Sequence, residues 1–136
     1  MKTAVLAGLL AITAAAAMPA APAQAATVKQ VTSSCRSGDF GGTFTLRYET
    51  SGGSYHPIGA ITTSGPYIGD SGTLSLRIYY RVGATTHTVY TRSTPTTGST
   101  SETLPSGLDV PVTAHGSASA TFDNGLTSCV ATVPIS

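Results

Sequence analysis

Charge is scarce in this chain. Only 10% of its 136 residues are Asp, Glu, Lys or Arg, seven basic against six acidic. Lys2 lies in an N-terminal segment expected to be removed, which leaves six against six. Nucleic acid and anionic membranes select a net basic surface, so neither is an expected partner, and solubility falls to Thr, Ser and Gly. Cysteine is equally scarce, with two residues, Cys35 and Cys129. Helical patterning is missing as well: beyond residue 26 no long window places apolar residues at i, i+3, i+4 and i+7. No stretch there is apolar enough to span a membrane, no fixed-period repeat is visible, and no cofactor-binding pattern is read.

The first 25 residues are built differently. Met1-Lys2 gives a charged start, and Ala4 to Met18 is apolar apart from Gly8 and Thr13. Pro19 and Pro22 end any helix, and Ala23-Gln24-Ala25 places small residues at a cleavage site. These are the parts of a secretory signal, and the run is shorter than the roughly 20 apolar residues of a spanning helix. Cleavage is expected after Ala25, leaving residues 26–136, 111 in all, as a single domain. Leu104-Pro105-Ser106-Gly107 resembles a cell-wall sorting signal but lacks its threonine and any apolar tail, so free secretion is expected. Arginine over lysine, with abundant Ala and Gly, fits a high-GC bacterial genome.

Period-two alternation replaces helical periodicity, and Val, Ile, Thr, Tyr and Phe dominate the alternating runs, as strands favour. Strands are predicted over Thr27–Ser34, Thr43–Glu49, Tyr55–Thr62, Thr73–Val82, Thr85–Arg92, Leu108–Ala114, Ser117–Phe122 and Leu126–Val133. Ser51-Gly52-Gly53-Ser54, Gly83-Ala84 and Asp123-Asn124-Gly125 read as turns. Ser93 to Gly107 reads as a long exposed loop that could hide one short edge segment. Seven or eight short strands in one domain predict an all-β, small antiparallel β-sandwich, immunoglobulin-like, with a small β-barrel as the alternative.

Two cysteines in an exported chain pair most simply with each other. Cys35–Cys129 would then join the two ends of the domain. The wide spacing lacks the C-x-x-C arrangement that tunes thiol reactivity, so a structural disulfide is expected. Small secreted sandwiches that carry chromophores or inhibit proteases often need two disulfides, and this chain has cysteines for one.

Gly69-Asp70-Ser71-Gly72 resembles the segment around the nucleophile of chymotrypsin-like serine proteases and the opening block of the Gly-Asp-Ser-Leu hydrolases. The first family implies two barrels with a histidine and an aspartate upstream, whereas here the only upstream histidine is His56, 15 positions away. The second implies an α/β sheet and a leucine where Gly72 stands. A tight turn before the strand at Thr73 accounts for all four residues. His56, His87 and His115 are about 30 residues apart, unlike the short spacings of zinc ligands, and no metal site is expected. Asp39, Glu49, Asp70, Glu102, Asp109 and Asp123 include no pair marked as a glycosidase dyad. Glu49 and Glu102 read as exposed polar residues.

The strongest constellation lies on the hairpin around Gly83-Ala84. A two-residue turn would put Tyr79 opposite Thr88, Arg77 opposite Tyr90 and Arg81 opposite Thr86. Alternation then places Arg77, Tyr79, Arg81, Tyr90 and Arg92 on one exposed face and Leu76, Ile78, Tyr80, Val82 and Val89 on the core face. Arginine and tyrosine anchor interfaces. The expected function is a non-enzymatic extracellular binding module for a protein or glycan. The alternatives are a secreted inhibitor or toxin presenting the Ser93 to Gly107 segment and, behind it, a small hydrolase.

Overall fold

Every described element is a strand. The computed structural model describes residues 27–136 apart from Ile68, Asp70 and Ser71. The segment read as a secretory signal and the central pair of the Gly-Asp-Ser-Gly motif therefore lie outside the described residues. Among those described, nine strands form: β1 Thr27–Ser37, β2 Phe40–Ser51, β3 Ser54–Gly65, β4 Gly72–Val82, β5 Thr85–Thr96, β6 Ser99–Thr103, β7 Val110–Pro111, β8 His115–Asp123 and β9 Ser128–Ile135. They make two antiparallel sheets packed face to face, the sandwich that the alternation implies. One sheet runs β1-β2-β3-β6, with β7 also on β3, and the other runs β5-β4-β8-β9. The likeness to an immunoglobulin domain is one of architecture. The β1-β2-β3 meander closed by β6 is this chain's own strand order.

The core is made by inward positions two residues apart. Phe44, Leu46 and Tyr48 from β2 meet Leu74, Leu76 and Ile78 from β4, with Ala118, Ala120 and Phe122 from β8 and Ala131, Val133 and Ile135 from β9. Each large aliphatic or aromatic side chain buried this way stabilises the fold by about 1.5–3 kcal/mol. Alanines on β8 and β9 leave room for the rings of β2. Tyr48 is fully buried because its hydroxyl is satisfied: it donates to the Ser136 carbonyl at 3.0 Å and accepts from the Ser136 amide at 3.3 Å. Gly42 lies opposite Cys35, and a Cβ there would occupy the Phe122 ring.

Turn chemistry sets the registers. Gly52 and Gly53, at φ +59° and +77°, make the two-residue turn between Ser51 and Ser54, the left-handed pair that a type I′ hairpin requires. In β3, Ile58 is the extra residue of a bulge: Tyr48 pairs with Pro57 and Arg47 with Gly59. A bulge is one of the few places where proline fits a paired strand. Asp123-Asn124-Gly125 does turn the chain, but as a longer loop than a two-residue hairpin. Asn124 Oδ1 accepts from the amides of Leu126 at 3.0 Å and Thr127 at 2.8 Å, and Asp123 Oδ1 accepts from Gly125 at 2.7 Å. The last strand consequently starts at Ser128, not at Leu126, which is left 78% exposed.

One further expectation is corrected, and the segment Ser93 to Gly107 takes its alternative of a short edge strand. Leu108 to Ala114 forms strand only at Val110–Pro111, opposite Tyr55 and Ser54 of β3; Val110 is fully buried while Val112 stays exposed. Conversely, much of the segment Ser93 to Gly107 is paired: β5 runs on to Thr96 and β6 occupies Ser99–Thr103. Beyond β6, Leu104 is buried, and its amide donates to the Ile58 carbonyl at 2.9 Å.

The Cys35–Cys129 disulfide closes one side of the sandwich, joining β1 to β9 across a Cα–Cα distance of 5.7 Å. Lys29 Nζ, donating to the Ser136 carbonyl oxygen at 2.7 Å, ties the same two strands at their other end.

Candidate binding face

The β4–β5 hairpin begins as its sequence implies. Gly83 takes φ +60°, Ala84 does not, and Val82 pairs with Thr85, which is the glycine-first II′ geometry. Arg81 faces Thr86 and Tyr79 faces Thr88. The register then shifts: Ile78 pairs with Tyr90, leaving Val89 as an extra residue, and Arg77 faces Thr91 instead of Tyr90. One inserted residue reverses the side of everything beyond it.

The expected five-residue face is therefore split. Arg77, Tyr79 and Arg81 point outward. Tyr90 and Arg92 turn to the inner side, paired with Ile78 and Leu76. The cause is visible in the chain. Val89 and Tyr90 are adjacent apolar residues, and strict alternation would bury only one. With the bulge, both pack against the core. Val82 departs too: expected in the core face, it is exposed at the hairpin tip. Tyr80 and His87 stack at 4.9 Å on the inner side of that tip.

Arg92 thus serves the fold. Its Nε lies 3.7 Å from Glu102 Oε1, spanning from β5 to β6 along the open side of the sandwich, where Thr96 and Thr100 also bond through their hydroxyls at 3.0 Å. Glu102, expected to be an exposed polar residue, has a side chain only 10% exposed, and its Oε2 has no hydrogen-bond partner among the described residues.

What remains outside is a compact row on β4. The Arg77 guanidinium carbon sits 4.6 Å from the Tyr79 ring centroid, and Nη2 donates to Thr88 Oγ1 at 3.2 Å. The neighbouring positions on β5 are Thr86, Thr88, Thr91 and Ser93. Those on β8 are His115, Ser117, Ser119 and Thr121. Ser75 and Ser93 lie 3.3 Å apart through their hydroxyls and border a shallow depression of about 490 Å³ beside Arg77, together with Ser119 and Thr121. Among the described residues, the ion pairs are His56–Asp109 and Arg92–Glu102. Neither Arg77 nor Arg81 has a carboxylate partner among them. Two guanidinium groups without a carboxylate partner among the described residues thus share one hydroxyl-lined face; Arg36 and Arg47, on the other sheet, are likewise absent from those ion pairs.

His56 and Asp109 form a pair that sequence reasoning missed. His56 Nδ1 lies 2.6 Å from Asp109 Oδ1, and Nε2 lies 3.2 Å from the Ser51 carbonyl oxygen. The partial burial of the ring opposes its charging. That effect is outweighed by the Ser51 carbonyl, the Asp109 carboxylate and the Leu108 backbone, so the pKa rises above 6.5. With acceptors at both nitrogens, the protonated ring satisfies both contacts. His56, Ser106 and Glu49 border a cleft between the start of β3 and the loop after β6. Since Nε2 is engaged by a backbone carbonyl, the pair lacks the nucleophile–base contact that defines a hydrolytic triad. The two residues are 53 positions apart, and no local signal marks them. His87 and His115 lie on β5 and β8. Among the described residues, no three His, Cys, Asp or Glu side chains gather as a metal centre.

Comparison with family models, with curated proteins and with solved structures finds no match.

Proposed function

We propose that this chain is an extracellular binding module whose ligand sits on the outer face of the β5-β4-β8-β9 sheet, at Arg77, Tyr79 and Arg81. One observation carries the reading: two arginines without carboxylate partners among the described residues flank an aromatic ring on a solvent-facing strand. Unpaired guanidinium groups offer several fixed donors to an incoming acceptor, and the Tyr79 ring holds Arg77 in place. Export is part of the proposal. It is supported by the charged start, apolar run and Ala-Gln-Ala end of residues 1–25, and by the disulfide, which persists in oxidising compartments.

The test is capture of a partner from the culture medium by immobilised protein. Alanine at Arg77, Tyr79 and Arg81 together should abolish capture while leaving the thermal midpoint nearly unchanged. Arg77 and Arg81 are exposed and Tyr79 is half-buried on the outer side, and surface substitutions usually change stability by within about 0.5 kcal/mol each. Capture undiminished by the triple substitution refutes the assignment of this face.

A further inference from the structure

We propose that the ligand of this face is an acidic polysaccharide, bound along the Arg77–Tyr79–Arg81 row. This inference rests on the reading of the face as a binding site and adds the chemical class of the ligand.

Charge comes first. Across β5, β4 and β8, from the Ser75 level to the Arg81 level, the outward positions are Ser93, Ser75 and Thr121; Thr91, Arg77 and Ser119; Thr88, Tyr79 and Ser117; and Thr86, Arg81 and His115. This block holds two arginines, a histidine and no carboxylate. The complementary ligand is an anion.

Spacing comes second. Arg77 and Arg81 are four residues apart on one strand, about 13 Å at 3.3 Å per residue. A small anion reaches one guanidinium. A chain with recurring carboxylate or sulfate groups reaches both, and each group can accept paired N–H bonds.

The surroundings then separate a glycan from an acidic protein segment. Protein interfaces centre on an apolar core. This block has one aromatic ring, and Ser or Thr at eight of its twelve positions. Hydroxyls both donate and accept, which matches the mixed donors and acceptors of sugar hydroxyls. The depression beside Arg77 is bordered by five such residues, Ser75, Thr91, Ser93, Ser119 and Thr121.

The test uses affinity electrophoresis and titration calorimetry of the disulfide-bonded domain at low salt. The probes are polygalacturonate, dextran sulfate, neutral dextran and polyglutamate. Polygalacturonate or dextran sulfate should bind, neutral dextran should not, and polyglutamate should bind more weakly. Binding should weaken as salt rises. Arg77→Ala with Arg81→Ala should reduce affinity by about tenfold or more. Arg36→Ala with Arg47→Ala, on the other sheet, should change it by less than about twofold. Circular dichroism confirms that each variant is folded.

Equal loss in both double variants would mean diffuse attraction and overturn the proposal. Tighter binding to polyglutamate would assign the face to an acidic protein segment and overturn the glycan. Binding of neutral dextran equal to that of the acidic polymers would remove the need for an anion. If no polysaccharide binds while culture partner capture still depends on Arg77, Tyr79 and Arg81, the ligand class falls and the face stands. If capture is also independent of them, both fall.

Discussion

Replacing Cys35 and Cys129 together by alanine should destabilise the domain by about 4–5 kcal/mol. The bond joins residues 94 apart, in the first strand and the last. The denatured chain therefore carries one large closed loop. In the chain-entropy treatment, a loop of this size restricts the unfolded ensemble by about 16 cal/mol/K, which is about 4.7 kcal/mol at 25 °C. Unfolding entropy near 2.1 cal/mol/K per residue over 110 or so ordered residues converts this to a fall in Tm of about 20 °C. Total stabilities of about 5–15 kcal/mol are typical, so the variant would be close to its threshold. Urea unfolding and calorimetry of the double variant measure the loss. The reduced wild-type protein is the second arm, because it keeps the sulfur volume and loses only the crosslink. The two arms should agree within about 1 kcal/mol. A loss below about 1 kcal/mol in both would refute the reasoning. It would mean that the denatured chain is already restrained, or that Lys29–Ser136 and the β1–β2 pairing hold this side of the sandwich without the bond.

Three other outcomes follow from named contacts. Deleting Val89 removes the extra residue of the β5 bulge and should leave Tyr90 opposite Ile78 and Arg92 opposite Leu76 in an unbroken ladder, costing about 1–3 kcal/mol through the lost Val89 side chain; NMR contacts placing Tyr90 opposite Arg77 instead would refute the register. Gly42→Ala places a methyl group on the Phe122 ring and should cost about 1–3 kcal/mol, measured as a shift in urea midpoint with an unchanged slope. His56 titrates above 6.5 in the folded domain, so its contribution to stability is fully present below pH 6.5 and fades as pH rises through the folded value. NMR titration should find the raised pKa in the wild type and a lower one in Asp109→Asn, and equal values in the two proteins would refute the pairing.

The sandwich was legible because its core strands are strict. Leu74, Leu76 and Ile78 alternate with Ser75, Arg77 and Tyr79, and the structure buries the first set and exposes or half-buries the second. Phe44, Leu46 and Tyr48 behave likewise. The disulfide followed from cysteine arithmetic. Less legible was β6, whose Ser-Thr-Ser-Glu-Thr sequence carries no apolar pattern; it is a strand because β3 offers an edge to pair with. The alternation of Leu108, Val110 and Val112 misled in the other direction, since a pattern alone does not supply a pairing partner. At the candidate face, the β4 half was readable and the β5 half was not. The difference is one bulge, and its only sequence trace is the adjacent apolar pair Val89-Tyr90. The His56–Asp109 and Arg92–Glu102 contacts exist only once the strands are packed.

The most direct test of the binding face is an amide NMR titration of the folded, disulfide-bonded domain with polygalacturonate. Shifts should concentrate at Arg77 to Arg81, Thr86 to Thr91 and His115 to Ser119, on three neighbouring strands of one sheet. Shifts centred on Arg36 and Arg47 of the opposite sheet, or spread evenly over the domain, would contradict it.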